Sequence, residues 1–149
     1  MGSEKTTWEE AKADILGLFM VSSLIDMGEI TDITKEESIA TFIAGIVRSV
    51  RFGFASSHGK ANMMCYNYME KNGAFSRNEE GKWVIDFEKA AECINSWANL
   101  IIETQATGNV EFAKAYSAEN ASIGEALAAD IEKINGAGIP RDIVFDFAW

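Results

Sequence analysis

The chain has 149 residues, of which 48% are apolar and 24% are charged, and it contains one proline. This composition is typical of a globular domain and argues against a disordered or fibrous protein. Thirteen lysines and arginines against 23 aspartates and glutamates give a formal charge of −10. Nucleic acid and anionic membrane surfaces are bound through clustered cations, so we expect neither as a partner.

The start of the chain carries no secretion or targeting pattern, and the longest apolar run, 15–21, is far short of the roughly 20 residues that span a bilayer. Met1-Gly2-Ser3 has the form of an expression remnant that replaces a native beginning. We therefore expect one helical domain over residues 4–149, from a soluble protein. The compartment is left open, with the cytoplasm favoured.

Apolar residues recur at helical spacing in most of the chain. This pattern predicts helices over 7–27, 34–51, 57–72 and 86–106, and two shorter helices before Pro140. Polar residues suited to capping helix starts are Thr34 with Glu37, Asp86, Asn109 and Ser122.

Residues 74–86 have a different pattern, with aromatic and β-branched residues on both sides of Asn78-Glu79-Glu80-Gly81. This predicts a small β-hairpin with a four-residue turn. The predicted fold is therefore mainly α: a bundle of about five to six helices with one hairpin.

Three acids lie within six residues near the start of the first predicted helix, at Glu9, Glu10 and Asp14. Glu10 and Asp14 are four residues apart and so share a helix face, where they could bind a cation or share a proton. The competing interpretation, which spacing alone favours, is that Thr7 and Glu10 form a capping box and that the acids stabilise the helix dipole.

His58 is the only histidine, so histidine-based catalysis within this chain depends on it. A histidine where a loop meets a helix is more often a surface or structural residue. The sequence contains no HExxH, phosphate-loop, dinucleotide or serine-hydrolase motif. Cys65 and Cys93 lie in apolar helical patterns, so we expect them to be small buried residues.

Two segments nevertheless resemble the dipeptidyl peptidase III family of zinc metallopeptidases, particularly its bacterial members. Residues 9–14, Glu-Glu-Ala-Lys-Ala-Asp, are similar to the family's E-E-x-x-A-[ED] motif. Residues 58–62, His-Gly-Lys-Ala-Asn, with Asn67-Tyr68-Met69-Glu70-Lys71-Asn72-Gly73-Ala74, are similar to the helix that carries its substrate-facing histidine.

The resemblance implies a role for each matched residue. Glu10 would be a protein ligand of a catalytic zinc, and Glu9 and Asp14 would be carboxylates that orient the zinc ligands. His58 would be the catalytic histidine that stabilises the polarised carbonyl of the scissile bond. The implied reaction is peptide-bond hydrolysis by zinc-activated water. No residue is assigned to substrate binding.

The chain also departs from the family. The H-E-x-x-G-H helix, which supplies two zinc ligands and the general base, is absent, and family members are several times longer. Some have an arginine where this chain has Asn62. We therefore expect a C-terminal fragment that is inactive alone, does not hold zinc tightly, and needs the missing N-terminal part of the same protein and a peptide substrate as partners.

Two alternatives remain from the sequence. A stand-alone helical interaction module without catalysis would leave the acids as a cap and His58 on the surface. A ligand-binding domain would use Trp97 and Met63-Met64 to line a pocket. The fragment hypothesis differs from both in predicting an exposed apolar patch, at Phe52, Phe54 or the segment 143–149.

Overall fold

A computed structural model describes residues 2–143 and 145. It contains six α-helices and one antiparallel hairpin, which confirms the predicted mainly α fold. After a short 3-10 turn at Gly2–Glu4 the elements are α1 (Lys5–Asp26), α2 (Lys35–Val50), α3 (Ser57–Lys71), β1 (Phe75–Arg77), β2 (Trp83–Ile85), α4 (Phe87–Ala106), α5 (Val110–Asn120) and α6 (Glu125–Gly136).

Most of the predicted helix starts are confirmed. Thr34 and Glu37 form a complete capping box, in which Thr34 Oγ1 accepts from the Glu37 amide at 3.1 Å and Glu37 Oε2 accepts from the Thr34 amide at 2.8 Å. Asp86 and Asn109 cap α4 and α5 through side-chain oxygens.

Two predicted caps are wrong. Thr7 is buried inside α1, because the 3-10 turn at the chain's start lets the helix begin at Lys5 with Glu4 at the N-cap position. Ser122 does not cap α6, which begins at Glu125 after Gly124. The carbonyl of Ser122 instead accepts a hydrogen bond from Asn67 Nδ2 at 2.9 Å. This bond fixes the α5–α6 connection to α3.

The hairpin follows α3 directly and has the predicted turn. Phe75 pairs with Ile85 and Arg77 with Trp83, and the Gly81 amide donates to the Asn78 carbonyl at 2.8 Å. The left-handed φ of +77° at Gly73 ends α3 and turns the chain into β1.

Helix α1 packs mainly against α3 and α4, with α2 and α5 completing the core around them. At its centre lies an aromatic cluster in which the Trp8 ring is 6.2 Å from Trp97 and 5.9 Å from Tyr116. Trp97, Met63 and Met64 are fully buried in this core. The ligand-pocket hypothesis for these three residues is therefore wrong, because they fill the interior instead of lining an opening.

The guanidinium of Arg51, just after α2, binds the end of α6 and the segment that follows it. It donates to Asn135 Oδ1 at 2.9 Å, to the Ile139 carbonyl at 2.7 Å and to the Pro140 carbonyl at 3.4 Å. Arg141 Nη1 in turn donates a hydrogen bond of 3.4 Å to the Arg51 carbonyl. The 51–54 loop and the segment beyond α6 are thereby joined.

Apolar side chains are exposed where the fragment hypothesis predicted them. Phe52 is 45% exposed, Phe54 36%, and Ile143 and Phe145 72% each. The Phe52 ring lies under two guanidinium groups, those of Arg48 and Arg141, each about 5 Å from its centroid. The predicted extended tail otherwise falls on residues 144 and 146–149, outside the described residues.

Within the described part of the chain, every helix is too short or too polar to cross a membrane.

Candidate functional site

His58 is the second residue of α3, and its ring lies against α1. Ser56 caps α3 by accepting a hydrogen bond from the Gly59 amide at 3.1 Å, which fixes the helical turn that carries the ring. His58 Nδ1 is 3.2 Å from Glu10 Oε2, and Nε2 is 3.9 Å from Asp14 Oδ2. Both ring nitrogens therefore face carboxylates.

Helix α1 places Glu10 and Asp14 one turn apart on the face that meets His58, as the i, i+4 spacing predicted. The three side chains are partly open to solvent, with His58 53%, Glu10 41% and Asp14 31% exposed. The structure thus brings together three of the four site residues singled out from the sequence. A solvent-accessible imidazole that faces two carboxylates can accept or donate a proton.

Asp14 is the most deeply set of these groups. Burial raises its pKa above that of an ordinary aspartate, with the negative charge of Glu10 adding to the effect and His58 opposing it. A carboxylate whose charge is incompletely solvated attracts a nearby proton donor or cation.

Glu9 has different partners. Its Oε2 pairs with Lys12 Nζ at 2.8 Å, and its Oε1 accepts from Gln105 Nε2 at 3.0 Å. The hydrogen bond from Lys12 lowers the pKa of Glu9, with a smaller contribution from Gln105, so Glu9 holds its charge firmly. Gln105, at the end of α4, was not identified from the sequence, where no motif connects it to the first helix.

Asn62 occupies the position where some members of the resembled family have arginine. Its side chain is buried, and Nδ2 donates to Ser49 Oγ on α2 at 2.7 Å. In this chain the position therefore contributes to packing between α2 and α3.

The side chains at this place could supply one of the protein ligands of a zinc ion. Glu10 offers an accessible carboxylate, a ligand type that zinc accepts, whereas a catalytic zinc needs three protein ligands. Nowhere in residues 2–143 and 145 do three or more histidine, cysteine, aspartate or glutamate side chains form a group that could hold a metal ion. The described residues can supply a ligand but do not form a complete site.

Comparison with known proteins places this geometry in context. No family model matches the chain. Dipeptidyl peptidase III from Caldithrix abyssi superposes with a TM-score of 0.88 and 28% identity, over 95% of this chain and 27% of that one. This chain resembles part of dipeptidyl peptidase III. The enzyme of the same name from Corallococcus sp. strain EGB gives a TM-score of 0.87 and 29% identity, over 95% and 26% of the two chains.

The similarity lies in a C-terminal portion of dipeptidyl peptidase III, which confirms the resemblance predicted from the two sequence segments. The chain spans about a quarter of the length of these solved structures. A third relative is Nudix hydrolase 3 of Arabidopsis thaliana, which is 33% identical over 135 residues, or 91% of this chain and 18% of that protein. More than four fifths of the plant protein lies outside the aligned segment, so its name describes a much larger molecule.

Proposed function

We propose that this chain forms one wall of the active site of a zinc-dependent peptidase similar to dipeptidyl peptidase III. The observation that carries the proposal is the contact of His58 with Glu10 and Asp14, within a fold shared with two dipeptidyl peptidase III structures over 95% of the chain. Residues matched by two separate sequence segments, 48 positions apart, meet at one exposed place.

Each residue then has a chemical task. Glu10 would bind zinc through its carboxylate, while Asp14 and Glu9 orient neighbouring ligands by hydrogen bonds. Bound zinc supplies Lewis acidity and lowers the pKa of a coordinated water to about 7. His58 would donate a hydrogen bond to the carbonyl oxygen of the scissile peptide as negative charge develops on it.

The remaining zinc ligands and the general base would come from the missing N-terminal part of the same protein. The chain alone is then expected to hydrolyse no peptide and to bind zinc weakly, since a single carboxylate ligand does not make a tight site. Phe52 and Phe54 are exposed apolar side chains that such a part could cover.

The test uses the longer polypeptide that this proposal implies. We expect it to bind one zinc and to release dipeptides from a peptide substrate. Glu10→Gln should abolish zinc retention, measured by metal analysis after dialysis, and lower kcat by at least about 100-fold. Glu111→Gln changes an exposed glutamate in the first turn of α5 and serves as the matched control.

Full zinc content and unchanged hydrolysis in Glu10→Gln would overturn the proposal. Peptide hydrolysis by the isolated 149-residue chain with added zinc would overturn the assignment as an inactive fragment. A native protein of about 16.4 kDa in its source cells would instead favour the stand-alone interaction module.

A further inference from the structure

We infer that Gly59 is a positioning residue for His58: the absence of a side chain at 59 sets the helical turn that holds the imidazole against Glu10 and Asp14. The effect of this role on catalysis rests on the proposed function. The effect of Gly59 on the position of the His58 ring does not. Gly59 is buried at the start of α3, next to His58 in the chain.

The evidence is the space around Gly59. A Cβ atom built on this residue would lie 2.6 Å from the Gly53 carbonyl oxygen and 2.6 Å from Phe54 Cα. Both are backbone atoms, which cannot rotate away as the end of a flexible side chain can. Any residue other than glycine therefore forces the first turn of α3 and the 53–54 backbone apart.

The other glycines within α-helices of the described chain differ in this respect. A Cβ added at Gly17, Gly45 or Gly136 meets nothing within 4 Å. Glycine is a poorer helix former than alanine, so at those three positions intrinsic propensity alone favours the substitution. At Gly59 the close backbone approach outweighs that preference.

A shift of the first turn of α3 matters because the distance between His58 and Glu10 can increase only slightly before their hydrogen bond is lost. His58 Nδ1 and Glu10 Oε2 are 3.2 Å apart, at the long end of the hydrogen-bond range. To relieve a 2.6 Å contact, the turn must shift by several tenths of an ångström. The same turn carries His58 and is capped by Ser56, so a shift of this size is enough to break the contact with Glu10.

The first experiment uses this chain, in which His58 is the only histidine and its ring signals are unambiguous. Wild-type protein should show NOEs from the imidazole protons to the side chains of Glu10 and Asp14. In Gly59→Ala these NOEs should be lost, although the change favours helix formation. Gly17→Ala and Gly45→Ala are the matched controls and should keep them. Intact ring NOEs in folded Gly59→Ala would overturn the inference.

Ser56→Ala keeps the inference testable if Gly59→Ala does not fold. This variant removes the cap from the same turn without adding an atom beside the 53–54 backbone. Weakened NOEs from His58 to Glu10 in Ser56→Ala would support a positioning role for the turn. Unchanged NOEs would overturn it.

In the longer polypeptide the readout is kinetic. If Gly59 acts through His58, Gly59→Ala should lower kcat with little change in KM, and the His58→Ala/Gly59→Ala double variant should be no slower than His58→Ala. Additive losses would show a merely structural role and overturn the inference. A polypeptide that neither binds zinc nor cleaves peptides would disprove the proposed function, while the NMR result for Gly59 would stand independently.

Discussion

Gln105, at the end of α4, donates a hydrogen bond of 3.0 Å to Glu9, which precedes it in the chain by 96 residues. The same carboxylate pairs with Lys12 one turn along α1 at 2.8 Å. Glu9 is thereby held by one local and one distant partner, and α4 acts directly on the acidic segment of α1.

The pKa of Glu9 should report both partners. Because they favour the carboxylate, the folded-state pKa lies below the unfolded value. Their stabilisation is therefore present above the unfolded pKa and is lost as the pH falls through the folded one. Lys12→Met should raise the pKa of Glu9 more than Gln105→Ala does, as measured by carboxyl ¹³C NMR. Lys114→Met, in a comparable i, i+3 pair with Glu111, should leave Glu9 unchanged. A larger effect from Gln105→Ala would contradict this order.

Arg77 should contribute more to stability than a surface arginine does. Its guanidinium bonds Asp130 at 2.8 Å, Glu70 at 2.9 Å and Tyr66 at 3.1 Å, and lies over the Trp83 ring. Arg77→Ala leaves these groups without their shared donor, so we expect a loss of about 1–3 kcal/mol in the free energy of unfolding, measured with urea. Arg48→Ala, as the exposed control, should lose less than about 1 kcal/mol.

The same cluster should weaken in acid. Burial alone would raise the pKa of Asp130, but hydrogen bonds from Arg77 and Trp83 outweigh it and hold the pKa below that of an ordinary aspartate. The stabilisation is complete above the unfolded pKa and is lost as the pH falls through the lowered folded value. In Asp130→Asn the stability curve should be flatter in this window. An equally steep decline in that variant would exclude Asp130 as its source.

Two core tryptophans offer a matched comparison. Trp8 Nε1 donates to Ser117 Oγ at 3.1 Å, whereas Trp97 Nε1 has no partner among the described residues, and both side chains are fully buried. Replacement by phenylalanine removes similar volume at each position. Trp8→Phe should therefore cost about 1 kcal/mol more than Trp97→Phe in urea unfolding, because it also loses a buried hydrogen bond. Equal losses would show that this bond adds nothing to stability.

The capping box of α2 should have a measurable effect by itself. Thr34→Ala removes the hydroxyl that accepts from the Glu37 amide and should destabilise the protein by about 1 kcal/mol. Thr41→Ala, an exposed change within the same helix, should be neutral or slightly stabilising. Thermal unfolding of the two variants separates the loss of a cap from a change in helix propensity. Similar melting temperatures for Thr34→Ala and Thr41→Ala would contradict the prediction.

The features that were predictable from the sequence are local ones. The turn at Asn78–Gly81 and the caps at Thr34, Asp86 and Asn109 are each determined by residues a few positions apart, so short-range chemistry specifies them. The position of Glu10 and Asp14 on one helix face follows from helical spacing in the same way. The Thr7 cap failed as a prediction because residues before it also adopt helical geometry, which no pattern within 7–14 reveals.

Contacts between distant segments were not predictable by this reasoning. Helical period predicts which face of α4 is buried, but not that Gln105 reaches Glu9. The contact of His58 with α1 entered only through the family resemblance, since a lone histidine after a loop has no preferred partner in sequence. The need for glycine at 59 depends on how closely the 53–54 backbone approaches α3, which is a property of the packed molecule.

The bonds from Arg51 to Asn135, Ile139 and Pro140 can form only after these three residues have been synthesised. The loop that precedes His58 is synthesised before the acceptors that hold Arg51, which follow Arg51 by 84 to 89 residues. At synthesis rates of about 5–20 residues per second, the loop waits on the order of ten seconds for these bonds. The 51–54 loop therefore gains these contacts only after the end of α6 and the segment that follows it have been made.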